Sequence, residues 1–153
     1  MSFLVYLFGT ILLLATTGCE TFSERTEANR ALSLLDHGVK QHVGGNPEAA
    51  IKSYEEVLSF TKDPEMQAAA FGNIGLALIA IGKAEEAQLK FEQVVSLTKH
   101  LETKARALNN IGELRQKQGD FQSARTSYEE ALLLTTDESL VDLINKHLKT
   151  LNK

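Results

Sequence analysis

Cys19 is the only cysteine among 153 residues, so no disulfide can close within the chain. It follows Phe3 to Ala15, thirteen uncharged and almost wholly apolar residues, and then the small residues Thr16-Thr17-Gly18. Such a run is shorter than the ~20 residues a helix needs to cross a bilayer and matches the apolar core of a signal peptide. The thiol therefore stands where a signal peptide would be cut. The other reactive residue types assemble no site. His37, His42, His100 and His147 lack the four-residue spacing of a helical metal pair and have no cluster of acids or thiols around them. Gly44-Gly45 is followed by no Lys-Ser/Thr, so it is no phosphate-binding loop, and no serine lies in a Gly-x-Ser-x-Gly setting. The acid pairs Glu55-Glu56, Glu85-Glu86 and Glu129-Glu130 read as a solvated outer face, not as catalytic carboxylates. The expectation is a chain that is not an enzyme, with no catalytic residues, no metal and no cofactor.

The sequence Thr16-Thr17-Gly18-Cys19 resembles a bacterial lipobox. That resemblance implies cleavage before Cys19, two acyl chains on its sulfur and commonly a third on the new amino group. Chains buried at about 0.8 kcal/mol per methylene would hold the protein stably on a membrane. Glu20, in place of Asp, implies the outer membrane over the inner, on the periplasmic side of a bacterial cell envelope. A plain signal peptide or a retained anchor remains the alternative. The first eighteen residues carry no charge, so sixteen basic and twenty acidic side chains leave the remainder at −4. No Lys/Arg stripe is present to neutralise phosphates, which argues against nucleic acid as a partner.

What must position any binding residues is a repeated unit. Gly38, Gly75 and Gly112 are 37 residues apart, as are Gly45, Gly82 and Gly119, and Ala50, Ala87 and Ala124. Tyr54, Phe91 and Tyr128 keep the same register, as do Val57, Val94 and Ala131. A fixed period of about 20 to 50 residues marks stacked supersecondary units that cannot bury their own apolar face alone. Within the middle unit, Phe71, Ile74, Gly75 and Leu78 share one helix face; Gly82 breaks that helix, and Ala87, Phe91 and Val94 share a face of the next. Gly75 and Ala87 then permit close antiparallel approach, with Phe71 and Phe91 filling the flanks. Asn46-Pro47-Glu48 and Asp63-Pro64-Glu65 carry helix-start chemistry, and Asp120 is placed to cap the third unit's second helix. Leu140, Val141, Ile144, Leu148 and Leu151 describe a final amphipathic helix without the glycine and alanine columns.

The segment Arg106 to Leu134, RALNNIGELRQKQGDFQSARTSYEEALLL, resembles a tetratricopeptide repeat. The expected fold is all-α, a helical-hairpin solenoid of three repeats plus a C-terminal capping helix. The boundaries are a signal peptide over 1–18, a lipidated tether over 19–30, units at about 31–67, 68–104 and 105–141, and the cap over 137–153. The period exceeds the usual ~34 residues, and the extra length is expected in the links between units. The resemblance implies a concave groove lined by the first helix of each unit: Leu35 and Val39, then Asn73, Leu76 and Ile79, then Arg106, Asn110 and Glu113. Asn73 and Asn110 would hydrogen-bond a bound backbone. Leu35 and Val39 replace the basic and amide residues of the family's two-carboxylate clamp, so that clamp is not expected. From Ala68 to Ile81 only Asn73 is strongly polar, and a helix apolar all round is normally covered all round. The partner expected is a protein, as an extended peptide or amphipathic helix, together with a membrane held through lipid. The functional expectation is a membrane-anchored adaptor or scaffold for an envelope complex serving pilus or secretin, β-barrel assembly or peptidoglycan machinery. A self-assembling homo-oligomer, or an accessory subunit of an envelope enzyme complex, is the alternative.

Overall fold

A computed structural model describes residues 25–151. Cys19 and the apolar run lie outside them. Among the described residues there are seven helices and no strand: α1 (25–43), α2 (Pro47–Phe60), α3 (Pro64–Ala80), α4 (Ala84–Leu97), α5 (Leu101–Lys117), α6 (Phe121–Leu134) and α7 (Glu138–Thr150). They form three hairpins and a closing helix, with α3 packed on α2 and α4, α5 on α4 and α6, and α7 on α6 and α5.

Each hairpin turns on a glycine in the left-handed region, Gly45, Gly82 and Gly119, at φ of +83°, +79° and +83°. There the chain reverses and the last carbonyls are reclaimed. The N–H groups of Asn46, Lys83 and Asp120 reach back to the carbonyls of Gln41, Leu78 and Arg115, each at 2.9 Å. This is the double-bonded helix ending that a glycine without a Cβ makes inexpensive. The capping carboxylates behave as their types suggest: Asp63 accepts from Glu65 N–H at 2.8 Å and Asp120 from Ser123 N–H at 3.0 Å. Asn46 does not cap. Its amide turns back to the Gly44 carbonyl at 3.4 Å, leaving Pro47 to start α2 through its preset φ and missing donor.

The core rests on glycine–aromatic contacts repeated in every hairpin. Tyr54, Phe91 and Tyr128 are fully buried. Each ring lies where a Cβ on Gly38, Gly75 or Gly112 would stand; the Phe91 and Tyr128 rings are 2.7 Å and 2.5 Å from the ideal positions on Gly75 and Gly112. Phe91 thus lies directly on Gly75 and does not flank it. Ala50, Ala87 and Ala124 are equally buried, bringing the helix axes together from the other side. Two polar side chains of the first helices find partners across the hairpin. Gln41 accepts from the Ser53 hydroxyl at 2.8 Å, and Arg115 donates to the Ser127 hydroxyl at 2.9 Å.

The added length of the period goes into helix and not into linker. The links Thr61–Asp63, Thr98–His100 and Thr135–Asp137 are three residues each, whereas α3 and α5 are 17 residues against 14 for α2, α4 and α6. The first helices begin at Pro64 and Leu101, about one turn before the expected unit starts at 68 and 105. Residues 25–30, read from sequence as tether, are likewise helical. Arg30 there bonds Glu56 at 2.7 Å and lies over the Phe60 ring at 4.5 Å from its centre.

Candidate binding groove

Side chains on the first helices fall at i, i+3, i+4 and i+7, so residues in one register of successive units line one surface. Between α3 and α5 this surface is a groove of about 400 Å³. Ala69, Gly72, Asn73 and Leu76 form one wall, and Glu102, Arg106 and Asn110 the other. In α1 the same registers are Leu32, Leu35, Asp36 and Val39. Leu32, Val39 and Leu76 retain 53%, 42% and 44% of their surface in solvent, so an apolar face runs from α1 onto α3 and remains open among the described residues. A helix as apolar as α3 is therefore not covered all round. It buries Ala70, Ile74 and Leu78 on its neighbours and leaves Leu76 to the groove.

Asn73, Leu76, Arg106 and Asn110 are brought to one place. Leu35 and Ile79 are half-buried and pack against the core, contributing shape more than free surface. Glu113 belongs to another neighbourhood. It accepts from Asn109 at 3.0 Å, and its carboxylate is 3.3 Å from His147 Nε2 of α7, out of hydrogen-bond alignment. His147 also stacks on Tyr128, the ring centres 5.2 Å apart and the planes within 4°. Burial, and secondarily the negative charge of Glu113, pushes the Tyr128 phenol well above its ordinary range, while its hydroxyl donates to Gln116 at 3.0 Å. Asn109 is buried and does not line the groove between α3 and α5.

Arg106 is the groove's cation, but it is already engaged. It donates to Asp137 at 2.9 Å and lies 3.4 Å from Glu102, so its charge is shared with the link to α7. A second hollow continues past it to Leu140 and Leu143, which makes α7 part of the concave wall as well as the end of the stack. Sequence reading missed this role of α7, since it lacks the glycine column that marked the other first helices. The signal available was its position one period after α5. Among the described residues no group of three metal-ligating side chains gathers, and no helix is long and apolar enough to cross a membrane.

Residues 67–135 match the tetratricopeptide repeat sequence profile. Comparison with curated proteins finds no significant match. Among solved structures, the chain is similar to the second such domain of human RPAP3 in complex with the HSP70 peptide SGPTIEEVD, at 24% identity and a TM-score of 0.69, over 83% of this chain and 98% of that one. It is similar to the second domain of Spaghetti (RPAP3) bound to the HSP90 peptide SRMEEVD, at 26% identity and a TM-score of 0.62, over 72% and 99%. The Yersinia enterocolitica type III secretion chaperone SycD, solved with a peptide of the translocator YopD, gives 16% identity and a TM-score of 0.69, over 78% and 90%. The fold is that of a tetratricopeptide-repeat domain.

Proposed function

We propose that this tetratricopeptide-type solenoid is a non-catalytic adaptor that receives a partner protein, as an extended peptide or an amphipathic helix, in its concave groove. One observation carries the reading: Leu32, Val39 and Leu76 are left in solvent on the groove registers, beside Asn73 and Asn110, whose amides can serve a bound backbone. The peptides held by RPAP3, Spaghetti and SycD in their own structures support the same mode of action.

The proposal extends to location. The apolar run before Thr16-Thr17-Gly18-Cys19 supports a lipid anchor on Cys19 at the periplasmic side of a bacterial envelope, outer membrane over inner, in the service of envelope-complex assembly. Five residues separate Cys19 from residue 25, a span of at most about 20 Å, so the solenoid would work close to the membrane surface.

Cross-linking pull-down from native envelopes tests the groove. Ile79 packs on the core, so the informative variant is Leu76→Glu with Val39→Glu, first checked for native helicity. A protein captured by wild type and lost in the variant is expected; unchanged capture would exclude the groove. Cys19→Ala should abolish acyl labelling and release the chain from the membrane fraction, and retention there would remove the lipid anchor. The same exposed leucines would also suit a second copy, and a concentration-dependent dimer in sedimentation that Leu76→Glu abolishes would favour self-assembly.

A further inference from the structure

Thr61, Thr98 and Thr135 stand one period apart, and the hydroxyl oxygen of each accepts from the N–H two residues on, at 3.2, 3.1 and 3.1 Å. At two of these links a glutamate from the first turn of the preceding unit completes the arrangement. Glu65 accepts from the Thr98 hydroxyl at 2.6 Å and from Lys99 N–H at 2.8 Å; Glu102 accepts from the Thr135 hydroxyl at 2.7 Å. A basic side chain attends each carboxylate, His100 at 3.8 Å from Glu65 and Arg106 at 3.4 Å from Glu102. The Thr98 hydrogen bond, and next the Lys99 amide, hold the Glu65 carboxyl below its ordinary range, so this arrangement favours the ionised form.

One period before Glu65 the residue is Ala28. The first link therefore has the threonine and the amide without the carboxylate. Thr61 is buried, and among the described residues its hydroxyl proton has no acceptor and Lys62 N–H no partner. Where a glutamate side chain would lie, a cleft of about 760 Å³ opens instead, with Arg25 and Lys62 on its walls and Phe60 and Met66 as an apolar side. Of the two acids at its rim, Asp63 is turned to its own helix, accepting from Glu65 N–H; Glu27 remains as the opposing charge.

We infer that this junction is a carboxylate-binding site, in which the Thr61 hydroxyl and the Lys62 amide receive a carboxylate of a bound polypeptide while Arg25 and Lys62 supply the positive charge. The second link shows the same two donors, the Thr98 hydroxyl and the Lys99 amide, closing on a carboxylate, and a charge-assisted pair of this kind is roughly twice as strong as a neutral one. The site stands apart from the groove, since the two clefts share no lining residue.

Amide NMR of the full chain in detergent micelles tests it with two probes. N-acetylglutamate α-amide presents a side-chain carboxylate and N-acetylphenylalanine a chain end beside an apolar group; N-acetylglutamine amide is the neutral control. A saturable shift of the Lys62 amide with either carboxylate and not with the control is expected, and the stronger probe identifies the source. Thr61→Val should weaken it by at least roughly tenfold. Ala28→Glu, which supplies the missing carboxylate from within, should abolish the titration and raise Tm, whereas Leu76→Glu should leave it unchanged. Equal response to the neutral control, no saturation, or a titration that survives Ala28→Glu would overturn the inference. So would a Lys62 amide that moves on Glu20→Gln or Glu24→Gln without added ligand, because the chain's own glutamate would then fill the site.

Discussion

At the scale of single residues, the solenoid depends on three positions where a hydrogen replaces a methyl group. The Phe91 ring is 2.7 Å from an ideal Cβ on Gly75, and the Tyr128 ring 2.5 Å from one on Gly112. Neither ring can retreat, being buried on all sides. Gly75→Ala and Gly112→Ala should therefore each destabilise by about 1–3 kcal/mol, measured by denaturant unfolding, although alanine is the better helix former. Glu65 offers a prediction in pH. Its carboxyl is held below the ordinary 4.5 by Thr98 and the Lys99 amide, so its stabilising contribution is complete above that value and is lost as pH falls through the lowered one. Glu65→Gln should flatten the acid limb of the stability curve below about pH 4.5 and leave its neutral shape unchanged. The glycine and aromatic columns were legible in sequence, but the seating of each ring on its glycine was not, and neither were the glutamate–threonine bonds. Both bonds join residues 33 apart, and only the threonine of each pair lies in a three-copy column.

At the scale of elements, α7 stands where the first helix of a further unit would be, and among the described residues no second helix packs behind it. Leu140 and Ile144 bury one face against α5 and α6, and Asp137 caps it, accepting from Ser139 N–H at 3.0 Å while bonded to Arg106. In a linear stack each unit feels only its neighbours. Ile144→Ala should cost about 2–5 kcal/mol and Asp137→Ala about 1 kcal/mol, and in both variants hydrogen exchange should accelerate in α7 and α6 before it does in α3. Uniform acceleration along the chain would instead mean that the stack unfolds as one unit. The amphipathic pattern made α7 visible in sequence, but not its part in the groove wall, which depends on Arg106 bonding Asp137 across the link.

At the scale of the whole molecule, the groove surface crosses three units, from the Leu32 and Val39 registers of α1 through α3 to α5. A ligand spanning it ties units that are otherwise coupled only in pairs. Binding should therefore raise exchange protection in α1, α3 and α5 together, and a ligand protecting only α5 and α7 would place the site in the hollow beyond Arg106. The repeat period, the helical hairpins, the turning glycines and the recurring glycine, alanine and aromatic columns were determined by sequence alone, because each follows from spacing within a unit and from the conformation a residue type permits. Tertiary structure alone decided that each ring seats directly on its glycine, that Glu113 turns to α7, that Arg106 is already paired, and that Ala28 leaves a cradle unfilled. The last three outcomes depend on the angle between successive hairpins, which is set by many small contacts between units and has no local code.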